Sequence, residues 1–120
     1  MTEAHPNLIA LSDADFDQQV TQSTLPVLVE FTAEWCPPCR ILAPHFERLS
    51  DVYEGRLKFA RLDTDENMGT QARFGVQGIP TFMLFAGGKP VGRVVGPHPG
   101  RLQQVIDQML TEAGAQAARV

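Results

Sequence analysis

The chain has 120 residues, 43% of them hydrophobic and 20% charged, enough for one globular domain that buries a core without disulfide staples. Ten basic against fourteen acidic side chains leave a formal charge of −4 with no block of Lys and Arg, which argues against nucleic acid and anionic membrane surfaces as partners. Met1 to Asp17 has neither a positively charged lead nor a sustained apolar stretch, so no signal peptide or anchor is read there and a reducing cytoplasm is the expected location.

Leu8, Ile9 and Leu11 predict a short first strand. Ser12 with Asp15 three positions on resembles a helix-start cap, leading into a helix over 13–21 that carries Phe16 and Val20. After Leu25-Pro26, the run Val27-Leu28-Val29-Glu30-Phe31 is apolar and β-branched apart from one acid, the pattern of a strand buried on both faces at the centre of a sheet. From Pro37 to Tyr53, the residues Ile41, Leu42, Phe46, Leu49, Val52 and Tyr53 recur at helical spacing, with Gly55 placed to end the helix and Pro44 to kink it.

Leu57 to Leu62 alternates into a further strand, and a short polar helix after Asp65 is expected to end near Gly75. Gly78-Ile79-Pro80-Thr81 is a turn signal ahead of the apolar run Phe82 to Phe85. Gly87-Gly88 predicts a two-residue hairpin that makes Val91 to Val95 an antiparallel neighbour of that run. A last helix presents Leu102, Val105, Ile106, Met109 and Leu110 on one face, and the tail over 112–120 is expected to fray. The order βαβαβαββα describes an α/β domain over 1–120 with a mixed sheet and helices on both faces.

Two cysteines are too few for a disulfide framework, so the pair Cys36 and Cys39 points to chemistry. A Cys-X-X-Cys between a buried strand and a helix start places a thiol at unpaired N–H groups and a partial positive charge, both of which favour thiolate. With Cys36 as N-cap, Pro37 and Pro38 have no N–H to offer, and the amide of Cys39 is the nearest donor. Cys36 is thus read as an exposed nucleophile and Cys39 as the resolving thiol. Half a zinc site is one alternative, but the remaining ligand candidates are three scattered histidines and carboxylates, so no metal is expected; two idle helix cysteines are the other, disfavoured by the flanking Trp35 and double Pro.

The segment Val27 to Arg40, with Trp35-Cys36-Pro37-Pro38-Cys39 at its end, resembles the active-site segment of the thioredoxin family. Gly78-Ile79-Pro80-Thr81 resembles that family's cis-proline loop and Val95-Gly96 its glycine beside the substrate groove, so the likeness runs from about residue 7 to about residue 110. The resemblance implies a thioredoxin fold with a central mixed five-stranded sheet. It also implies a cis Pro80 facing the cysteines, with Ile79 offering backbone groups to a substrate; an ordinary trans Pro is what sequence alone would favour. Trp35, Phe74, Val76, Gly78, Ile79 and Gly96 would then form an apolar rim around Cys36.

The sequence also departs from that family's pattern. Glu30 stands where an Asp is usual and matches a general base for the Cys39 proton, the alternative being a solvated Glu on an edge strand. Arg61 replaces the usual Lys and, since Arg keeps its charge, is expected to hold Glu30 ionised and make it a weaker base. Pro37 replaces the commoner Gly; ahead of Pro38 it stiffens the turn and is a candidate for tuning the redox potential, as is Thr32 where an aromatic is common for a local change of unassigned sign.

The function these residues imply is reduction of disulfides in protein substrates by dithiol-disulfide exchange. No bound cofactor is expected beyond the Cys36-Cys39 couple, and the family resemblance implies that electrons would come from an NADPH-dependent flavoprotein reductase. An oxidase or isomerase is the near alternative, disfavoured by the missing export signal, and a non-catalytic module using the apolar rim is the alternative of another kind.

Overall fold

A computed structural model describes residues 5–118; Met1 to Ala4, at the head of the segment read for a leader, and Arg119 and Val120, at the end of the tail, lie outside the described residues. Five strands, β1 (Leu8–Leu11), β2 (Val27–Thr32), β3 (Lys58–Asp63), β4 (Thr81–Ala86) and β5 (Lys89–Val95), form one sheet in the order β1-β3-β2-β4-β5. β3 runs parallel to β1 and β2, whereas β4 is antiparallel to both β2 and β5. The sheet is therefore mixed, and the apolar run Val27 to Phe31 lies at its centre with every residue buried.

Alternation along β2 divides the core. Leu28 faces Phe59, Phe82 and Leu84 under α1 (Pro37–Val52) and α3 (Leu102–Ala118), which contribute Leu42, Phe46, Leu49, Leu102, Ile106 and Met109. Val27, Val29 and Phe31 face the other way, against Phe16, Val20 and Val76 beside a π-helical turn at Asp17–Thr21 and the short helix α2 (Met68–Arg73). Helices thus cover both faces of the sheet, as the order of elements implies.

Ser12 and Asp15 do form the reciprocal contacts of a helix start: the Ser12 amide donates to Asp15 Oδ1 at 2.8 Å and the Asp15 amide to Ser12 Oγ at 3.3 Å. The helical segment that follows is shorter than 13–21 and closes with an i to i+5 bond from the Gln22 amide to the Asp17 carbonyl. α2 is short and ends near Gly75 as expected, its last residue being Arg73 with Gly75 in a left-handed conformation beyond it. α1 is continuous with Pro44 inside it, and α3 continues past Glu112 to Ala118.

The β4–β5 turn is the Gly87-Gly88 pair, with φ of +61° and +81°, the positive values that a tight hairpin of this twist requires. Gly88 has a second constraint: a Cβ there would come within 2.7 Å of the Thr21 carbonyl oxygen.

Candidate active site

β2 leads directly into the cysteine pair. Cys36 is the N-cap of α1, Pro37 and Pro38 occupy the first two helical positions, and the Cys39 amide donates to Cys36 Sγ at 3.4 Å. The two sulfurs are joined as a disulfide, with Cα atoms 5.2 Å apart. Cys36 is buried, at 3% exposure, not exposed as the sequence suggested. It packs in a small cluster with Ala33, Cys39 and Ile79, and the loop that supplies Ile79 brings its carbonyl oxygen to 4.0 Å from Cys36 Sγ.

The Ile79–Pro80 peptide bond is cis. Gly96 is tied to the same loop, its amide donating to the Pro80 carbonyl at 2.8 Å, and Val95 lies across from Thr81 and against Gly78. Gly78, Ile79, Pro80 and Gly96 are thereby gathered beside the cysteines. Trp35 is 63% exposed and is anchored by its indole N–H, which donates to Asp65 at 2.8 Å, a partner the sequence reading did not single out. Phe74 and Val76 are placed elsewhere. Both belong to the core on the other side of the sheet, which Ile79 also borders, and there the Phe74 ring packs tilted against Phe16 and edge-on to Phe85, at 5.3 and 5.1 Å between centroids.

Beneath α1 lies an ion-pair network. Glu30 is fully buried on the central strand, which rules out the solvated edge position, and it is paired in register with Arg61 of β3. Arg61 Nε donates to Glu30 Oε1 at 2.7 Å, and Nη1 donates to Glu47 Oε2 of α1 at 3.0 Å. The guanidinium also lies over the Phe46 ring, 5.9 Å from its centroid. Glu30 Oε2 and Arg61 Nη2 are buried with no protein partner. An unpaired buried polar atom costs about 1–3 kcal/mol, so leaving one on each member of a single ion pair calls for a reason.

Burial pushes the Glu30 carboxyl above its usual range, outweighing the pull of Arg61 in the opposite direction. Arg61 acts in the expected sense, pulling Glu30 towards a weaker base, but desolvating the carboxylate in the middle of the sheet outweighs what one guanidinium returns. Arg61 itself is disfavoured by burial, yet its two carboxylate partners hold it above its ordinary value and therefore charged. Glu47 was missed in the sequence, although Cys39, Ala43 and Glu47 stand four residues apart on one helical face.

Cys39 and Arg61 line a common cavity of about 220 Å³, together with Ala43, Glu34, Arg40, Asp63 and Glu66. It gives the inner sulfur a polar side away from the Ile79 loop. Among the described residues, no group of three or more His, Cys, Asp and Glu is placed to hold a metal ion, and no helix is long and apolar enough to cross a membrane.

Comparison with known proteins agrees with this geometry. The family profile named Thioredoxin matches residues 7–108. The chain is 49% identical to a thioredoxin of Synechocystis sp. over 89 residues, 74% of this chain and 83% of that one. It is 42% identical to thioredoxin 1 of Nostoc sp., covering 83% and 94% of the two chains, and 42% identical to a thioredoxin of Staphylococcus aureus, covering 86% and 98%. A mixed five-stranded sheet that delivers a disulfide to a helix N-terminus opposite a cis proline, joined to relatedness over most of its length, makes this chain a member of the thioredoxin family of disulfide reductases, with Cys36–Cys39 as its redox-active disulfide.

Proposed function

We propose that this Trp-Cys-Pro-Pro-Cys variant reduces protein disulfides with unequal roles for its two sulfurs. The observation that carries the assignment is the Cys36 Sγ acting as N-cap of α1, accepting from the Cys39 amide while lying 4.0 Å from the Ile79 carbonyl at the cis-proline loop. A donor and a helix N-terminus stabilise thiolate at Cys36, which attacks one sulfur of the substrate disulfide; a mixed disulfide forms and the other substrate sulfur leaves as a thiolate. Cys39, on the cavity side, loses its proton through water to Glu30 and attacks Cys36 Sγ. The second substrate thiolate is released, the substrate has gained two electrons, and the chain holds the Cys36–Cys39 disulfide. Glu30 suits the proton because its raised affinity brings it closer to that of a thiol.

An extended segment of the substrate protein would lie along Gly78, Ile79, Pro80 and Gly96, with Trp35 at the edge; the clustering of these residues around the disulfide supports this reading. Pro37 and Pro38 would tune the potential by fixing the first turn of α1. The electron donor is proposed to be an NADPH-dependent flavoprotein reductase, and the setting the cytoplasm, with residues 1–120 acting as one domain. Cys39→Ser is expected to accumulate the mixed disulfide and Cys36→Ser to abolish reduction; the reverse pattern would overturn the roles. The equilibrium potential of the couple tests the direction: about −270 mV, typical of thioredoxin, fits a reductant, whereas about −120 mV would make the protein an oxidant.

A further inference from the structure

Arg61 meets Glu30 in an incomplete way. The side-on edge of a guanidinium carries two parallel N–H bonds, from Nε and Nη2, that match the two oxygens of a carboxylate. Here only Nε is used, on Oε1, and the atoms that would complete the fork, Nη2 and Oε2, are the two buried atoms left without a protein partner. The competing contact is on the far side of the guanidinium, where Nη1 donates to Glu47. Glu47 reaches it from α1, two turns beyond Cys39 on the same face.

We infer that Glu47 is a positioning residue for the redox reaction: by holding Arg61 Nη1 it keeps Arg61 to a one-point contact with Glu30 and leaves Oε2 open as the atom that receives the Cys39 proton. The inference rests on Glu30 being that proton acceptor. The geometry gives the carboxylate a division of labour, with Oε1 tied to β3 and Oε2 unengaged. A completed fork would instead occupy both oxygens and stabilise the anion.

The charged and titratable groups around Glu30 are Arg61 from β3, Glu47 from α1 and, on the cavity that Arg61 shares, Cys39 from α1 together with Glu34, Arg40, Asp63 and Glu66. Its other strand neighbour, Phe82 of β4, is apolar, as are Ala10 and Leu11 where β1 borders the cavity. The negative charge of Glu47 adds in the same sense, working against ionisation of Glu30.

The test compares the wild-type chain with Glu47→Gln, Glu47→Asp and Glu30→Gln. Two quantities are read: the titration midpoint of the Glu30 carboxyl carbon by NMR in the oxidised protein, and the pH profile of the rate at which Cys39 resolves a mixed disulfide formed on Cys36 with a small aromatic thiol. Glu47→Gln is expected to lower the Glu30 midpoint by at least about half a pH unit and to slow resolution about three- to tenfold near neutral pH, a fraction of what general-base catalysis contributes. Glu47→Asp, which keeps the charge one methylene further back, is expected to recover part of both. If Glu30→Gln alters the resolution profile while Glu47→Gln leaves profile and midpoint as in wild type, the positioning role is overturned and the proton acceptor stands. If Glu30→Gln itself leaves the profile unchanged, the acceptor reading fails and takes the inference with it.

Discussion

Tyr53, at the C-terminal end of α1, donates its phenolic hydrogen to the carboxylate of Asp107 on α3. The bond ties together the two helices that cover the Glu30 side of the sheet, and the ring completes the contact by stacking on Phe59. Burial, with Asp107 in second place, pushes the Tyr53 hydroxyl up to about 12. As this is the only tyrosine in the chain, absorbance at alkaline pH reports on it alone. Its ionisation is expected well above the usual value near 10. Because the folded value exceeds the unfolded one, the stabilisation is complete below about pH 10 and is lost as pH rises towards 12. Tyr53→Phe is expected to remove this pH dependence and to lower the urea-unfolding free energy by about 0.5–1.5 kcal/mol, the net worth of one hydrogen bond, since the exposed Asp107 carboxylate can turn to water.

Glu30 gives a stability dependence in a different window. Its carboxyl is raised in the folded state, so folding favours the protonated form, and that advantage, full below the ordinary carboxyl pKa, is lost as pH rises through the folded value. Relative to wild type, Glu30→Gln is expected to gain stability as pH increases from about 4.5, by about 1.4 kcal/mol for each pH unit between the unfolded and folded values. Urea midpoints for the two proteins between pH 4 and 9 check this; a difference that does not vary with pH would contradict a raised Glu30.

Asp13 works in the opposite sense. Its carboxylate accepts from the Gly69 and Thr70 amides and from the Thr70 hydroxyl, so it caps α2 from across the chain, and the Thr70 hydroxyl bond is the leading cause that holds it below the usual range. Its contribution is present at neutral pH and is lost as pH falls through the depressed folded value. Asp13→Ala is expected to shift the acid-unfolding midpoint upward and to raise amide exchange in α2 ahead of the rest of the chain.

The two hairpin glycines are expected to differ. Gly87 has a positive φ but open space where a Cβ would stand, so Gly87→Asn, which tolerates that conformation, is expected to fold normally. Gly88→Ala adds a clash with the Thr21 carbonyl to the same backbone strain, and is expected to cost at least about 1–3 kcal/mol by thermal or urea unfolding.

Much of this architecture was legible because local patterns and tertiary demands agree. The Val27–Phe31 run named its own place at the sheet centre, Gly87-Gly88 its hairpin, and the prolines after Cys36 the start of α1. What escaped were contacts set by distance in space. Asp13 caps a helix more than fifty residues away, Asp65 anchors Trp35, and Phe74 turns into the core because Phe16 and Phe85 wait there. The net sign of the Glu30 shift was missed for a related cause: the pairing with Arg61 and its pull are visible from the two residues, whereas the degree of desolvation is known only once β1, β4 and α1 surround them.

The cap formed by Cys36 has a thermodynamic reach beyond the sulfur chemistry. The atom that changes oxidation state is also the acceptor that closes the first turn of α1, so opening the disulfide alters a helix terminus as well as a bond. Folding and redox state therefore share one closed cycle: the difference in unfolding free energy between the oxidised and reduced chains equals the difference in potential between the folded and unfolded dithiol, at about 1.4 kcal/mol per 30 mV. Two denaturation curves, one with dithiothreitol and one without, would thus measure how far the fold itself displaces the couple. Any substitution in α1 that stabilises one redox form more than the other must change the electron affinity of the pair, however distant it is from the sulfurs.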